Sequence, residues 1–197
     1  MYKILAITNR KLCKGDFLEQ ISKIAKSNVE GIILREKDLA EKEYHQLASQ
    51  VVAICDKYKK RCILHTYIDV ALEMKIPNIH LSLAVAKEQS DRIGEFETLG
   101  ISTHSIEEAI EAQRLGATYI TAGHIFSTDC KKGVPPRGLT YLEEVCNAVS
   151  IPVYGIGGIT MENAKEVINC GAEGICMMSS LMNGTVEIPD IYVSSLM

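Results

Sequence analysis

His124 closes an apolar run, Tyr119-Ile120-Thr121-Ala122-Gly123-His124. Imidazole has an unperturbed pKa of about 6.5, so it can take up and return a proton near neutral pH. Two later segments have the composition of an anion cradle: Gly155-Ile156-Gly157-Gly158-Ile159 and Met177-Met178-Ser179-Ser180. Glycine lets the backbone approach an oxyanion closely and adopt positive φ. Ser179 adds a hydroxyl donor at a helix start. Thr160 reads as the opening of another helix, whose unpaired N–H groups favour an anion. Together these residue types point to acid–base chemistry on a small phosphorylated substrate. Each has a plainer reading too. A glycine pair after a strand also makes a simple turn, and a histidine at a strand end is often structural.

These groups need a scaffold that brings distant segments to one mouth. Candidate strands fall at Lys3–Thr8, Gly31–Arg35, Arg61–Leu64, Asn78–Leu81, Leu99–Ser102, Tyr119–Ala122, Val153–Gly155 and Gly174–Met177. They are short and rich in Ile, Val and Leu, as buried parallel strands are. Helical spacing links Phe17, Ile21, Ile24 and Ala25, then Leu47, Val51, Val52, Ile54 and Cys55, then Ala109, Ala112 and Leu115. Asp16, Ser105 and Thr160 are suited to N-caps, and Ser105 with Glu108 makes a capping-box pattern. Gly116 and Gly171 close helices. The helix around Val85–Ile93 and the eighth helix are weak by pattern. Eight strand–helix units predict an α/β fold, a compact (β/α)8 TIM barrel forming one domain over residues 1–197.

Composition agrees. The chain has 197 residues, 47% of them hydrophobic, enough for one full core. A net charge of -4 argues against general nucleic-acid binding. No apolar run reaches the roughly 18 residues of a membrane span, and the start reads as a buried strand rather than a secretory signal. Seven cysteines without C-x-x-C spacing predict neither a disulfide framework nor a zinc site. Six read as small apolar residues; Cys130 lies in a polar loop. The pattern fits a cytoplasmic protein.

The chain resembles the thiamine-phosphate synthase family, which includes the TenI-type thiazole tautomerases. The resemblance rests on Leu34-Arg35-Glu36-Lys37-Asp38-Leu39, Gly100-Ile101-Ser102-Thr103-His104-Ser105, Gly123-His124-Ile125-Phe126-Ser127-Thr128, Ile151-Pro152-Val153-Tyr154-Gly155-Ile156-Gly157-Gly158-Ile159-Thr160 and Met178-Ser179-Ser180. It implies a barrel that binds a thiazole phosphate, with Gly158 and Ser179 at the phosphate. A synthase of this family joins an aminopyrimidine pyrophosphate to that thiazole with Mg²⁺. Its metal aspartates are replaced here by Thr66 and Val85, and a pyrimidine-binding glutamine by Ile33. At position 124 the synthases usually carry proline and the TenI branch carries histidine.

On this resemblance the expected enzyme is an isomerase, a thiazole tautomerase. His124 would be its acid–base catalyst, with no cofactor and no metal, and synthase activity is not expected, with residual synthase activity left open. Arg35 and Lys37 would bind a substrate carboxylate. Ser102, Thr128 and Lys131 would position the ring, and Gly157, Gly158, Met178 and Ser179 would hold the phosphate side. His80 and His104 read as structural, His45 as a helix-surface residue, and His65 as a residue able to face the pocket. The long loop Ser127–Arg137 reads as a lid or as plain surface. The expected partner is a small phosphorylated thiazole, not nucleic acid or membrane, and the family allows a homodimer. The alternatives are a Mg²⁺-dependent thiamine-phosphate synthase and a non-catalytic thiazole-phosphate-binding or regulatory protein.

Overall fold

A computed structural model describes residues 2–128, 131 and 133–184. Cys130 and the tail beyond Gly184 lie outside the described residues. Among them, eight parallel strands close into a barrel in sequence order: β1 (Lys3–Ile7), β2 (Gly31–Leu34), β3 (Arg61–His65), β4 (Asn78–Ser82), β5 (Thr98–Thr103), β6 (Tyr119–Gly123), β7 (Val153–Ile156) and β8 (Gly174–Met177). Closure is made by β8 on β1, with Ile4 opposite Ile175 and Leu5 opposite Cys176. Each strand lies within one residue of its predicted ends.

The strands read as continuous apolar runs because both faces are buried. Alternate residues divide between two cores. Ile4, Ala6, Ile32, Leu34, Leu64, Ile79, Leu81, Ile101, Ile120 and Ile175 face the helical layer. Leu5, Ile7, Ile33, Ile63, Tyr119, Tyr154 and Cys176 fill the barrel interior. The helical layer comprises α1 (Phe17–Lys26), α2 (Glu41–Lys57), α3 (Ile68–Glu73), α4 (Leu83–Glu88), α5 (Ile106–Arg114), α6 (Gly138–Ala148), α7 (Ala164–Asn169) and α8 (Ser179–Met182). The two weakest helical patterns give short helices. α4 ends at Glu88 and a 3-10 turn follows at Ile93–Glu95, while α8 has four residues, its Leu181 carbonyl accepting from Gln20 Nε2 at 2.6 Å.

Capping follows the sequence at two of three sites. Asp16 accepts from the Glu19 N–H at 2.8 Å, and Ser105 from the Glu108 N–H at 3.1 Å. Thr160 does not cap a helix, because α7 begins four residues later. Asn163 explains the delay. Its Oδ1 accepts the Thr160 N–H at 2.8 Å, and its Nδ2 donates to the Gly158 carbonyl at 3.0 Å, holding a turn where a first helical turn was expected.

A polar column crosses the barrel interior. His80 on β4 pairs Nδ1 with the Tyr119 hydroxyl at 2.9 Å and Nε2 with Ser102 Oγ at 2.8 Å. Gly100 makes the room: a Cβ there would run into the Tyr119 ring and His80 Nδ1. His65 stacks on His80, with ring centroids 5.5 Å apart. Both imidazoles are buried, and charging them without solvent is unfavourable. Burial, then the charges of Lys37 and Arg35, pull His80 down to about 3. Burial and His80 hold His65 well below the usual histidine range.

The sign for stability is direct. Below a pH of about 6.5 the unfolded imidazoles take protons that the folded ones refuse. The stability contributed by these neutral histidines is complete above that pH and is lost as pH falls toward the folded values. Urea melts should lose about 1.4 kcal/mol per pH unit per imidazole on this descent, and the loss should be smaller in His80→Gln.

Candidate active site

The carboxyl ends of the strands surround a cavity of about 480 Å³. Arg35, Ser102, His124, Thr128, Lys131, Gly157, Gly158, Met178 and Ser179 all line it, so the predicted site residues from β2, β5, β6, β7 and β8 meet at one mouth. Lys37 is not among the lining residues. The backbone leaves the sheet after Leu34 and turns at residues 37 and 38, which sets Lys37 back from the wall. Much of Lys37 is solvent-accessible, but partial desolvation and then the Arg35 charge lower its pKa. His65 does not line the cavity either; its Nδ1 is 2.6 Å from Thr66 Oγ1.

Sequence reasoning passed over the lining residues Ile7, Thr121 and Cys176 and read His104 as structural, while Ile156, Thr160 and Ser180, which also line the cavity, lie in or beside the two segments read as an anion cradle. The alternation rule applied to the inward positions near the strand ends would have found Ile7, Thr121 and Cys176. His104 both lines the wall and braces it, because its Nδ1 donates to the Gly123 carbonyl at 3.0 Å. His45 lies on α2 with Nε2 3.8 Å from Glu73, away from the mouth.

The loops after β6 and β7 are joined by backbone. Ile125 N–H donates to the Ile156 carbonyl at 2.9 Å, and Phe126 N–H to the Gly157 carbonyl at 3.0 Å. Gly157 and Gly158 have φ of 99° and 66°. A Cβ at Gly157 would strike His124, and one at Gly158 would strike Ser127 and Phe126. The glycine pair is therefore needed twice, for its turn and for this contact. The approach fixes where His124 stands relative to the glycine rim.

His124 is buried, 4% exposed. Its Nε2 lies 3.2 Å from the Val134 carbonyl, which can only accept, so Nε2 carries the hydrogen. Nδ1 is then a lone-pair acceptor, and no described residue supplies it a donor. The loop returns to the strand end through Arg137, whose N–H donates to the His124 carbonyl at 3.0 Å and whose Nε donates to that of Gly123 at 3.2 Å. The rim thus combines backbone, hydroxyls, one imidazole acceptor and the cations Arg35 and Lys131. It suits a phosphorylated heterocycle.

The Mg²⁺ implied by the family does not fit these residues. Mg²⁺ is held through hard oxygen ligands, usually one or two carboxylates, and the described lining contains none. Nearby carboxylates are engaged elsewhere. Glu36 accepts from Thr8 Oγ1 at 2.8 Å and from Arg10 at 3.0 Å, Asp38 pairs with Arg10 and Lys11, and Asp69 pairs with Arg92 at 2.6 Å. Among the described residues no group of three His, Cys, Asp or Glu is arranged to hold a metal ion.

The family model for thiamine monophosphate synthase matches residues 4–181. A thiamine-phosphate synthase of Clostridium acetobutylicum is 36% identical over 92% of this chain and 88% of its own length. A putative thiamine-phosphate synthase 2 of Aquifex aeolicus is 38% identical over 91% and 97%. The solved thiamine phosphate pyrophosphorylase of Pyrococcus furiosus superposes with a TM-score of 0.78 at 30% identity, covering 92% of this chain and 88% of that one.

These relatives overturn the expected isomerase and the expected lack of synthase activity. That expectation weighed a few positions, His124, Thr66 and Val85, above the whole chain. The similarity to synthases runs through the complete barrel despite those changes. It supports the wider family and does not single out the tautomerase branch. The chain belongs to the thiamine monophosphate synthase family, a family of thiamine biosynthesis.

Proposed function

We propose that this chain is a thiamine-phosphate synthase, joining a thiazole phosphate to an aminopyrimidine carried on a diphosphate. One observation carries the reading: a single cavity holds a glycine-and-hydroxyl rim from the ends of β7 and β8 and a cationic wall at Arg35. Two anions of different size require two such poles. The names of the relatives supply the reaction class.

In this reading the thiazole phosphate lies against Gly157, Gly158 and Ser179, with its ring toward Met178 and His124. Barrel enzymes commonly bind phosphate after strands seven and eight. Ser102, tied to His80 in the barrel floor, and Thr128 fix the depth of the rings. Arg35 and Lys131 face the diphosphate. The thiazole nitrogen donates its lone pair to the methylene carbon of the pyrimidine, forming the C–N bond. The C–O bond to the diphosphate breaks, and its electron pair leaves with pyrophosphate. No redox change occurs, and the step itself requires no proton. The protein aligns the nitrogen, carbon and leaving oxygen and stabilises charge building on the leaving group.

The direct test supplies both substrates to the purified protein and measures thiamine phosphate and pyrophosphate by chromatography. Equimolar release of the two is the expected result; neither product forming would remove the reading. Two variants then separate the poles. Ser179→Ala loses one hydroxyl contact and should raise KM for thiazole phosphate about 10-fold with kcat little changed. Arg35→Gln loses a charged contact that strengthens as the leaving group departs. It should lower kcat by roughly 10–100-fold, with little effect on KM for thiazole phosphate.

A further inference from the structure

A diphosphate leaving group needs positive charge beside it, and proteins supply this with a divalent cation or with side chains. The donor set at this mouth favours side chains. Thr66 follows β3, Val85 lies in the first turn of α4 after β4, and neither offers a carboxylate. Glu36 is 3% exposed and accepts three hydrogen bonds, from Thr8 Oγ1 and from the Arg10 backbone and guanidinium. Moving it to a metal would break the junction between the β1 and β2 loops. The imidazoles that project from β3 and β4, beside Thr66 and Val85, are engaged as well. His80 uses both ring nitrogens in hydrogen bonds, and His65 Nδ1 is held by Thr66.

The opposite charge is in surplus. Arg35 lines the cavity and Lys37 follows on the same loop, and neither forms an ion pair among the described residues. Glu36, between them in sequence, is taken by Arg10. Their fields reach the barrel interior, where they oppose protonation of His65 and His80. Two neighbouring cations without a counter-charge repel each other, and an arriving anion relieves both repulsions.

We propose that this pole takes a diphosphate as the free anion, paired to Arg35 at the cavity wall while Lys37 adds positive charge from the same loop, with no divalent cation between protein and ligand. This extends the synthase reading, because it names how that enzyme would hold its leaving group. Metal-free anion binding is a property of the pole itself, so it can be measured apart from turnover. Binding of Mg²⁺ to pyrophosphate in solution would then compete with the protein for the ligand instead of assisting it.

Isothermal titration of the full-length protein with inorganic pyrophosphate tests this, once in excess EDTA and once in excess Mg²⁺. Saturable binding in EDTA is expected, unchanged or weakened by Mg²⁺. Arg35→Gln should weaken the EDTA isotherm by about 10-fold or more, and Lys37→Gln by less. Binding that appears only with Mg²⁺ would overturn the proposal, as would an EDTA isotherm indifferent to both substitutions. Circular dichroism melts of the variants separate lost binding from lost folding, and the wild-type comparison needs no variant. Tight metal-free pyrophosphate binding without formation of thiamine phosphate would support this proposal and remove the synthase reading.

Discussion

The site depends on a contact that only glycine permits. The loop after β7 lies so close to the loop after β6 that side chains at residues 157 and 158 would occupy the space of His124, Phe126 and Ser127. Two backbone hydrogen bonds, from Ile125 and Phe126, lock the approach. The wall that carries the imidazole and the rim suited to phosphate are consequently one unit. A Cβ at either glycine would displace His124 from the rim or break the pairing of the two loops. Positive φ at both positions adds a second penalty for any other residue. Fold and site therefore share the same two residues, and their chemistry cannot be assigned to ligand binding alone.

Beneath this rim, the barrel interior mixes polar and apolar residues. His80 joins β4 to β5 through Ser102 and to β6 through Tyr119. Tyr154 continues the interior toward the amino ends of the strands, where its hydroxyl donates to Glu30 at 2.6 Å. A buried polar group costs little when each of its atoms has a partner. Both His80 nitrogens do. Ser102 is the point where this satisfied network reaches the cavity, so the floor of the site is held by hydrogen bonds as well as by packing. His124 Nδ1 stands out against that background, a buried acceptor for which no described residue supplies a donor.

Much of the architecture was legible in the sequence, for a physical reason. Strands buried on both faces leave unbroken apolar runs, and caps such as Asp16 and Ser105 act over three residues. What escaped was non-local. The partners of His80 lie 22 and 39 residues away, and no periodicity announces them. Asn163 was invisible as a competitor to the Thr160 cap, because its effect depends on reaching back to Gly158. Lys37 looked equivalent to Arg35 until the turn at residues 37 and 38 separated them. The largest error was functional. Histidine at 124 and the missing carboxylates at 66 and 85 suggested a different reaction, whereas the whole barrel is similar to chains named as thiamine-phosphate synthases.

Those substitutions fit together once the ion pairs around the mouth are considered as one system. Glu36 is the junction: Thr8 donates to it, and the same Thr8 hydroxyl accepts the Arg35 N–H at 2.9 Å. Arg10 then bridges Glu36 and Asp38, and Lys11 completes the pairing at Asp38. Every acidic group on the β2 loop is thus neutralised by the β1 loop, on the side away from the cavity. The cations of the β2 loop receive no such partner. Structural ion pairs at one face therefore create an uncompensated positive pole at the other, and Arg35 inherits both its position and its unopposed charge from the buried Glu36. A carboxylate released toward the cavity would cancel that pole as surely as it would invite a metal. The charge at this mouth is therefore set by side-chain cations, because the carboxylates that could balance them are spent on the β1 loop.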